Sequence, residues 1–176
     1  MRNQDRFIGA RTLFLSGERA EESPGRAKYA EFEPDDAHLS GGKIERHIDR
    51  WRAVHKWSER DVWDIMARHS IFPHPCYRLG WSRCSCSACI FNNADAFASY
   101  RLIFPEMFDV LSGYEEQFGR TIKRNMSLPV LADKGTPFKM DPEDIRLAKS
   151  TTWERSMILD PWELPRGAFA EGSGPT

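Results

Sequence analysis

Apolar and polar positions follow two different periods along this chain. Leu13, Phe14 and Leu15 make a brief apolar run ending at Gly17, the pattern of a short buried strand. From Ser58 to His69 the period turns helical, with Val62, Ile65 and Met66 on one face and His69 joining them at the next turn. Ser58 is a natural N-cap and Asp61 stands at the capping-box position. Trp57 and Val62 have the spacing of a hydrophobic staple. Pro73 and Pro75 stop any continuation. Helical patterns return over 93–103 and over Pro105 to Phe118, where Met107, Phe108, Leu111, Tyr114 and Phe118 are in register and Gly119 is the stop. Two more run from a capping Ser127 to Lys134 and from Asp141-Pro142 to about Ser150. Residues 31–43 and the stretch from Pro73 to Arg83 read as loops, with Gly80 permitting a sharp bend, and residues 165–176 read as a disordered tail.

Composition narrows the picture. A chain of 176 residues fits one ordinary domain, or one with a small appendage. With 40% hydrophobic and 29% charged residues it can build a packed core. A net charge of −1 offers no general attraction to polyanions, so Trp51, Trp57, Trp63 and Trp81 read as core or interface, and nucleic-acid binding is a minor reading. No apolar run has the length of a membrane span, and the opening MRNQDRFIGARTLFLSG lacks the form of a secretory signal. The expected location is the cytoplasm, where thiols stay reduced.

Cysteine changes the picture most. Cys76, Cys84, Cys86 and Cys89 all lie in one short stretch. Cys86-Ser-Ala-Cys89 is a C-x-x-C turn that can aim two thiolates at one point. Cys84, two residues earlier, shares a face with Cys86 in extended backbone, and Cys76 can fold back across Gly80. Four converging thiolates suit a four-iron, four-sulfur cluster or a four-thiolate zinc, and the crowding of three ligands leans towards iron–sulfur. A redox thiol pair with two spectator cysteines is the alternative. His69 and His74 are possible substitute ligands. Arg78 and Arg83 flank the site, where they would contact an anion or offset the charge of a thiolate-bound cluster.

A second candidate lies just past the first predicted strand. Gly17 to Arg26 holds Arg19 and Arg26, whose planar forks suit phosphate or sulfate, beside Glu22 and Ser23. In open α/β sheets, ligands bind at the carboxyl ends of strands. A solvated charged loop is the competing reading. Ser40-Gly-Gly-Lys43 is no Walker loop, since Ile44 follows the lysine and no apolar strand precedes it.

Taken in order, G-x-R-x-x-E-S-x-x-R over Gly17 to Arg26, W-R-A-V-x-x-W-S-x-x-D-V-W over Trp51 to Trp63, P-H-P-C-Y-R-L-G over Pro73 to Gly80 and the Cys86/Cys89 pair form a pattern. It resembles the phosphoadenosine phosphosulfate (PAPS) reductase family, particularly phage and bacterial members related to DNA-phosphorothioation sulfur-transfer proteins. The resemblance spans about residues 11 to 135. It implies an adenine-nucleotide α-hydrolase-like α/β fold. This chain would supply the C-terminal part of that fold over residues 1–135, predominantly helical with few strands and an incomplete sheet. Residues 136–176 would add a helical extension and tail. The resemblance also implies that Arg19, Glu22, Ser23 and Arg26 lie near an adenine nucleotide or its sulfate. Cys86 and Cys89, with Cys76 and Cys84, would hold an iron–sulfur cluster.

Two features depart from the family. Its Ser-Gly-Gly-x-Asp-Ser phosphate loop is not found before residue 11, and the Ser40 segment carries Ile44 and Glu45 where Asp and Ser belong. A partner chain carrying that loop is therefore expected. No cysteine follows Cys89, whereas the family's reductases use a nucleophilic cysteine near the C-terminus. The expected function is sulfur transfer or sulfonucleotide chemistry, of oxidoreductase or sulfurtransferase type if catalytic. The alternative is a non-catalytic, zinc-stabilised module that binds a protein or nucleic acid.

Overall fold

The computed structural model describes residues 4–170, so the end of the expected tail, residues 171–176, lies outside the described residues. The architecture is mixed α/β, with six α-helices and one three-stranded sheet among the described residues. It divides into two compact units, Met1–Val62 and Trp63–Thr176. The boundary expected near residue 135 falls inside the second.

The first unit is built on the sheet. Strand β1 (Arg11–Leu15) lies parallel to β3 (His47–Trp51), and β2 (Phe32–Pro34) pairs with β3 antiparallel. The order β1-β3-β2 places Leu15 beside Trp51 and Trp51 beside Phe32. Only β1 was expected. β2 holds a proline and two acid-flanked positions, and β3 is three-fifths charged or histidine, so neither has the apolar run that reveals a strand. The segment joining β1 to β3 contains no α-helix, only short 3-10 turns at Ala20–Glu22 and Arg26–Lys28, and β2.

Helix α1 (Glu59–Arg68) begins as its sequence predicts. The Ser58 hydroxyl accepts from the Asp61 amide at 3.1 Å, and the Asp61 carboxylate accepts from the Ser58 amide at 2.7 Å, closing the box.

The second unit packs helices around hydrocarbon. Its elements are α2 (Pro75–Leu79), α3 (Ala94–Ile103), α4 (Pro105–Phe118), α5 (Leu128–Asp133) and α6 (Pro142–Lys149). Leu79, Trp81, Phe97, Tyr100, Ile103, Phe108 and Leu128 form the buried cluster. The stretch from Pro75 to Leu79, expected as loop, is a helical turn because Pro75 suits its first position and Gly80 closes it at φ 114°. Ser127 makes no side-chain cap to α5. Instead the buried Glu115 of α4 accepts from the Leu128 and Ile122 amides at 2.7 and 2.8 Å. The first residues of the expected tail are folded: Gly167 is buried and its amide donates to the Tyr77 carbonyl at 2.8 Å. A Cβ there would sit 2.0 Å from the Trp81 carbonyl oxygen.

Candidate anion loop and metal centre

Because β1 and β3 are parallel, their carboxyl ends lie on one side of the sheet. Ser16, Glu18 and Arg19 follow one strand, and Arg52 and His55 follow the other. The Ser16 amide donates to the Trp51 carbonyl at 3.1 Å, and the Ala20 amide donates to the His55 carbonyl at 2.8 Å. Arg19 is thereby held at the strand ends, where its Nη1 donates to Glu21 at 2.8 Å and to the Trp57 carbonyl at 3.3 Å.

Glu22 joins the two predicted arginines. One carboxylate oxygen stands 3.6 Å from the Arg19 guanidinium, and the other pairs with Arg26. The Ser23 hydroxyl accepts from the Arg26 amide at 3.2 Å, and His55 Nε2 contacts the Arg26 carbonyl at 2.9 Å. Arg19, Glu22, Ser23 and Arg26 are thus brought together, with the Glu22 carboxylate between the forks.

Charged residues behind this loop were not anticipated. Arg50 donates to Asp35 at 2.8 Å, and Arg52, almost wholly buried, donates to the Ala30 carbonyl at 2.6 Å and to Glu33 at 2.7 Å. Glu18 lies 3.5 Å from Arg50 and 3.4 Å from Arg52. The Ser16 hydroxyl holds the Glu18 carboxyl below its ordinary pKa; burial opposes this, and Arg52 and Arg50 add to it. The available signal was Arg50 and Arg52 two apart around Trp51, which places both on one face of a strand.

The cysteines occupy the second unit. His74 caps α2, its Nδ1 accepting from the Cys76 amide at 3.2 Å. The Cys84 amide donates to the Tyr77 hydroxyl at 3.2 Å, which draws the chain after Gly80 back over α2. The ligand atoms of His74, Cys76 and Cys84 consequently lie within 4.8 Å of one another. Burial pushes the Cys76 thiol pKa far up, and the neighbouring Cys84 adds to the shift. Burial also lowers the His74 pKa and favours the neutral imidazole, the ligating form. Two thiols and an imidazole are ligands for a borderline or soft metal.

Cys86 and Cys89 stand outside that group. Their turn is closed by the Cys89 amide on the Cys86 carbonyl at 3.0 Å. The fully buried Asn92 supports it, its side chain donating to the Ser87 carbonyl at 2.8 Å. Burial alone would raise the Cys89 pKa, but the Phe91 backbone, the Ser85 hydroxyl, and the Arg83 and Lys123 charges lower it. Arg78 is not at the cysteines in the expected sense; it pairs with the buried Asp144 at 2.8 Å and joins α2 to α6. His69 is exposed and outside the ligand group. All four cysteines are free thiols.

This chain is similar to two curated proteins. It is 31% identical over 115 residues to an uncharacterised 37.8 kDa protein of Escherichia phage 186, covering 65% of this chain and 33% of that one. It is 29% identical over 87 residues to an adenosine 5'-phosphosulfate reductase of Neisseria meningitidis, covering 48% of this chain and 32% of the reductase. The aligned part spans about a third of the length of either relative. No protein-family profile and no solved structure matches the chain. No helix among the described residues is long and apolar enough to cross a membrane.

Proposed function

We propose that this chain is part of a sulfonucleotide reductase-like protein of adenine-nucleotide α-hydrolase-like fold. Its strand-end loop receives the phosphate–sulfate end of an adenine sulfonucleotide, and its cysteine loop holds a metal centre. The observation that carries the reading is the similarity to an adenosine 5'-phosphosulfate reductase over 87 residues. The convergence of Arg19 and Arg26 on one carboxylate supports it, because the two forks already hold an oxyanion between them. On this reading a phosphate-binding segment outside these 176 residues, on the same or a partner chain, completes the nucleotide site.

The donor set bears on the metal. His74, Cys76 and Cys84 supply three ligands, and Cys86 or Cys89 can supply a fourth. Residues 81–93 contain no helix or strand that would prevent their approach. With Cys76, Cys84, Cys86 and Cys89 all engaged, the site takes a four-iron, four-sulfur cluster. With His74 retained, it takes a single zinc. Neutral His74 Nδ1 has one lone pair, now given to the Cys76 amide, so ligation through that atom gives up the cap. The bound group would pin residues 81–93, so its binding energy would appear as folding energy.

Purification without oxygen tests this. Brown protein with iron and acid-labile sulfide supports the cluster. Stoichiometric zinc, lost on His74→Ala, supports the second reading, a zinc-stabilised binding module favoured by the imidazole in the ligand group. Metal-free folded protein overturns both. Titration with adenosine 5'-phosphosulfate tests the loop: binding should disappear in Arg19→Ala/Arg26→Ala, and unchanged affinity in that variant overturns the assignment.

A further inference from the structure

A net charge of −1 conceals a local excess of cations in the second unit. Residues 79–94 and 117–132 hold Arg83, Arg120, Lys123 and Arg124 and no aspartate or glutamate. The fold brings the two stretches together. Arg83 and Lys123 both act on the Cys89 thiol, and Ala88 and Ile122 pack on the same buried cluster. The turn that carries Lys123 and Arg124 is firmly held. Lys123 and Met126 pair across it, and Asn125 at its tip takes the left-handed conformation at φ 59°. The buried Glu115 accepts from the Ile122 and Leu128 amides on either side, which uses both its oxygens.

Arg120, Lys123 and Arg124 have no ion-pair partner among the described residues. The flanking carboxylates are engaged elsewhere or turned aside. Asp133 pairs with Arg101 at 2.8 Å, and Asp95 accepts from the Thr136 amide at 2.7 Å. Glu116 is exposed near the end of α4, and the left-handed Gly119 turns the chain between it and Arg120. A metal centre at the cysteines would account for Arg83 and Lys123. It would leave Arg120 and Arg124, both exposed, without a counter-charge. Their planar forks suit phosphate. Beside the cysteines, Arg83 lies 5.5 Å over the exposed Phe91 ring, a flat surface of the kind on which a base stacks. An acidic peptide would use the cations alone, whereas a ligand with phosphates and bases uses the ring as well.

We propose that this face of the second unit binds single-stranded nucleic acid, with phosphates on Arg120, Lys123 and Arg124 and a base on Phe91 and Arg83. A single strand fits because its bases are free to leave the stack for the ring, whereas a duplex keeps them paired. None of these residues belongs to the strand-end loop proposed for the sulfonucleotide.

Fluorescence anisotropy of a labelled oligothymidylate of about 20 nucleotides, longer than a single site of this kind, tests this with the full chain. Binding should weaken as salt rises. Lys123→Ala/Arg124→Ala should reduce the slope of log affinity against log salt by about 1.4, the share of two phosphates on a single strand. Phe91→Leu keeps apolar bulk and removes the ring face, and should weaken binding about tenfold. Thermal unfolding of each variant separates lost binding from lost folding, and Arg124→Ala, at an exposed turn tip, should melt as the wild type does. A wild type that does not bind the strand at low salt overturns the proposal. So does a salt slope unchanged in the double variant, or affinity untouched by Phe91→Leu. Affinity for a duplex of the same length as high as for the single strand also overturns it, as does equal affinity for polyglutamate, which would mark a surface for acidic proteins.

Discussion

The two units bury hydrocarbon and charge in different proportions. In the second, the buried set is mostly hydrocarbon and aromatic, with Phe72, Leu79, Trp81, Phe97, Tyr100, Ile103, Phe108, Leu128 and Leu147, and Asn92, Ser99, Glu115 and Asp144 are buried beside it. In the first, Ala37 and Ile48 are the buried hydrophobics among the described residues, beside buried Asp35, Arg46, Arg52 and His55. Many of its large apolar side chains are exposed, while Phe14 and Trp57 are half-buried. Leu15, Trp51 and Phe32, aligned across the three strands, are 57%, 38% and 56% exposed. A parallel strand pair is ordinarily covered on both faces. The second unit is therefore held chiefly by hydrocarbon packing. The first is held largely by charges paired with one another, and an apolar row across its sheet stays exposed.

The largest effect that would sharpen this contrast is Phe97→Ala. Phe97 is fully buried in the hydrocarbon cluster, and its loss should cost about 3–5 kcal/mol. Denaturant unfolding measures it, and a cost below about 1 kcal/mol would mean the second unit is not held by that cluster. Arg52→Ala is the counterpart. It removes donors to Ala30 and Glu33 and the charge beside Glu18, at about 1–3 kcal/mol. Its effect should appear as faster amide exchange in β1 and β3. Unaltered exchange there would break the view that charge pairing organises the first unit.

The contrast also explains what was legible in the sequence. The helices were, because each carries local signals: a closed Ser58–Asp61 box, an Asp141-Pro142 start, and Gly119 at the end of α4. β3 was hidden because His47, Asp49 and Arg50 surround its one fully buried apolar residue, Ile48, and Arg50 is satisfied by Asp35 rather than by hydrocarbon. Arg19, Glu22, Ser23 and Arg26 were grouped from their place past a strand end and from the family resemblance, but the ion pairs of Glu22 with both arginines were not foreseen, since Glu22 looks the same in sequence whether it faces solvent or a guanidinium. At the cysteines the clustering was visible and the partition was not. His74 joins Cys76 and Cys84 because it caps α2, and that helical turn was read as loop. The register of α4 was read correctly as helical, yet it mixes the buried Phe108 with the exposed Met107, Tyr114 and Phe118, which the apolar pattern did not tell apart.

A smaller effect tests the loop's internal ion pairs. Glu22 pairs with Arg26 and stands 3.6 Å from Arg19, so an anion bound between the two forks would have to displace it. Glu22→Gln should raise affinity for inorganic sulfate about two- to fivefold, the scale of a partly exposed ion pair. Calorimetric titration reads it. Weaker binding would show that Glu22 orders the arginines rather than competing for them, and equal binding would show that the forks do not face the anion at all.

The smallest effect is the pH dependence of the first unit, carried by Glu18. Its carboxyl pKa is lowered in the folded chain, chiefly by the Ser16 hydroxyl, against the opposing effect of burial. A group whose folded pKa is depressed contributes stability above its unfolded value, about 4.3 for a glutamate. That contribution is lost as pH falls through the folded value. Between neutral pH and roughly pH 5 the wild type should therefore protect the β1 and β3 amides better than Glu18→Gln by a constant margin. On further acidification the margin should narrow, because the wild-type carboxyl takes up a proton and comes to resemble the amide. A margin that holds steady through the acid range would mean the contacts of Glu18 with Arg50 and Arg52 act by shape and not by charge. The first unit would then rest on packing after all, and its difference from the second would be one of residue type alone.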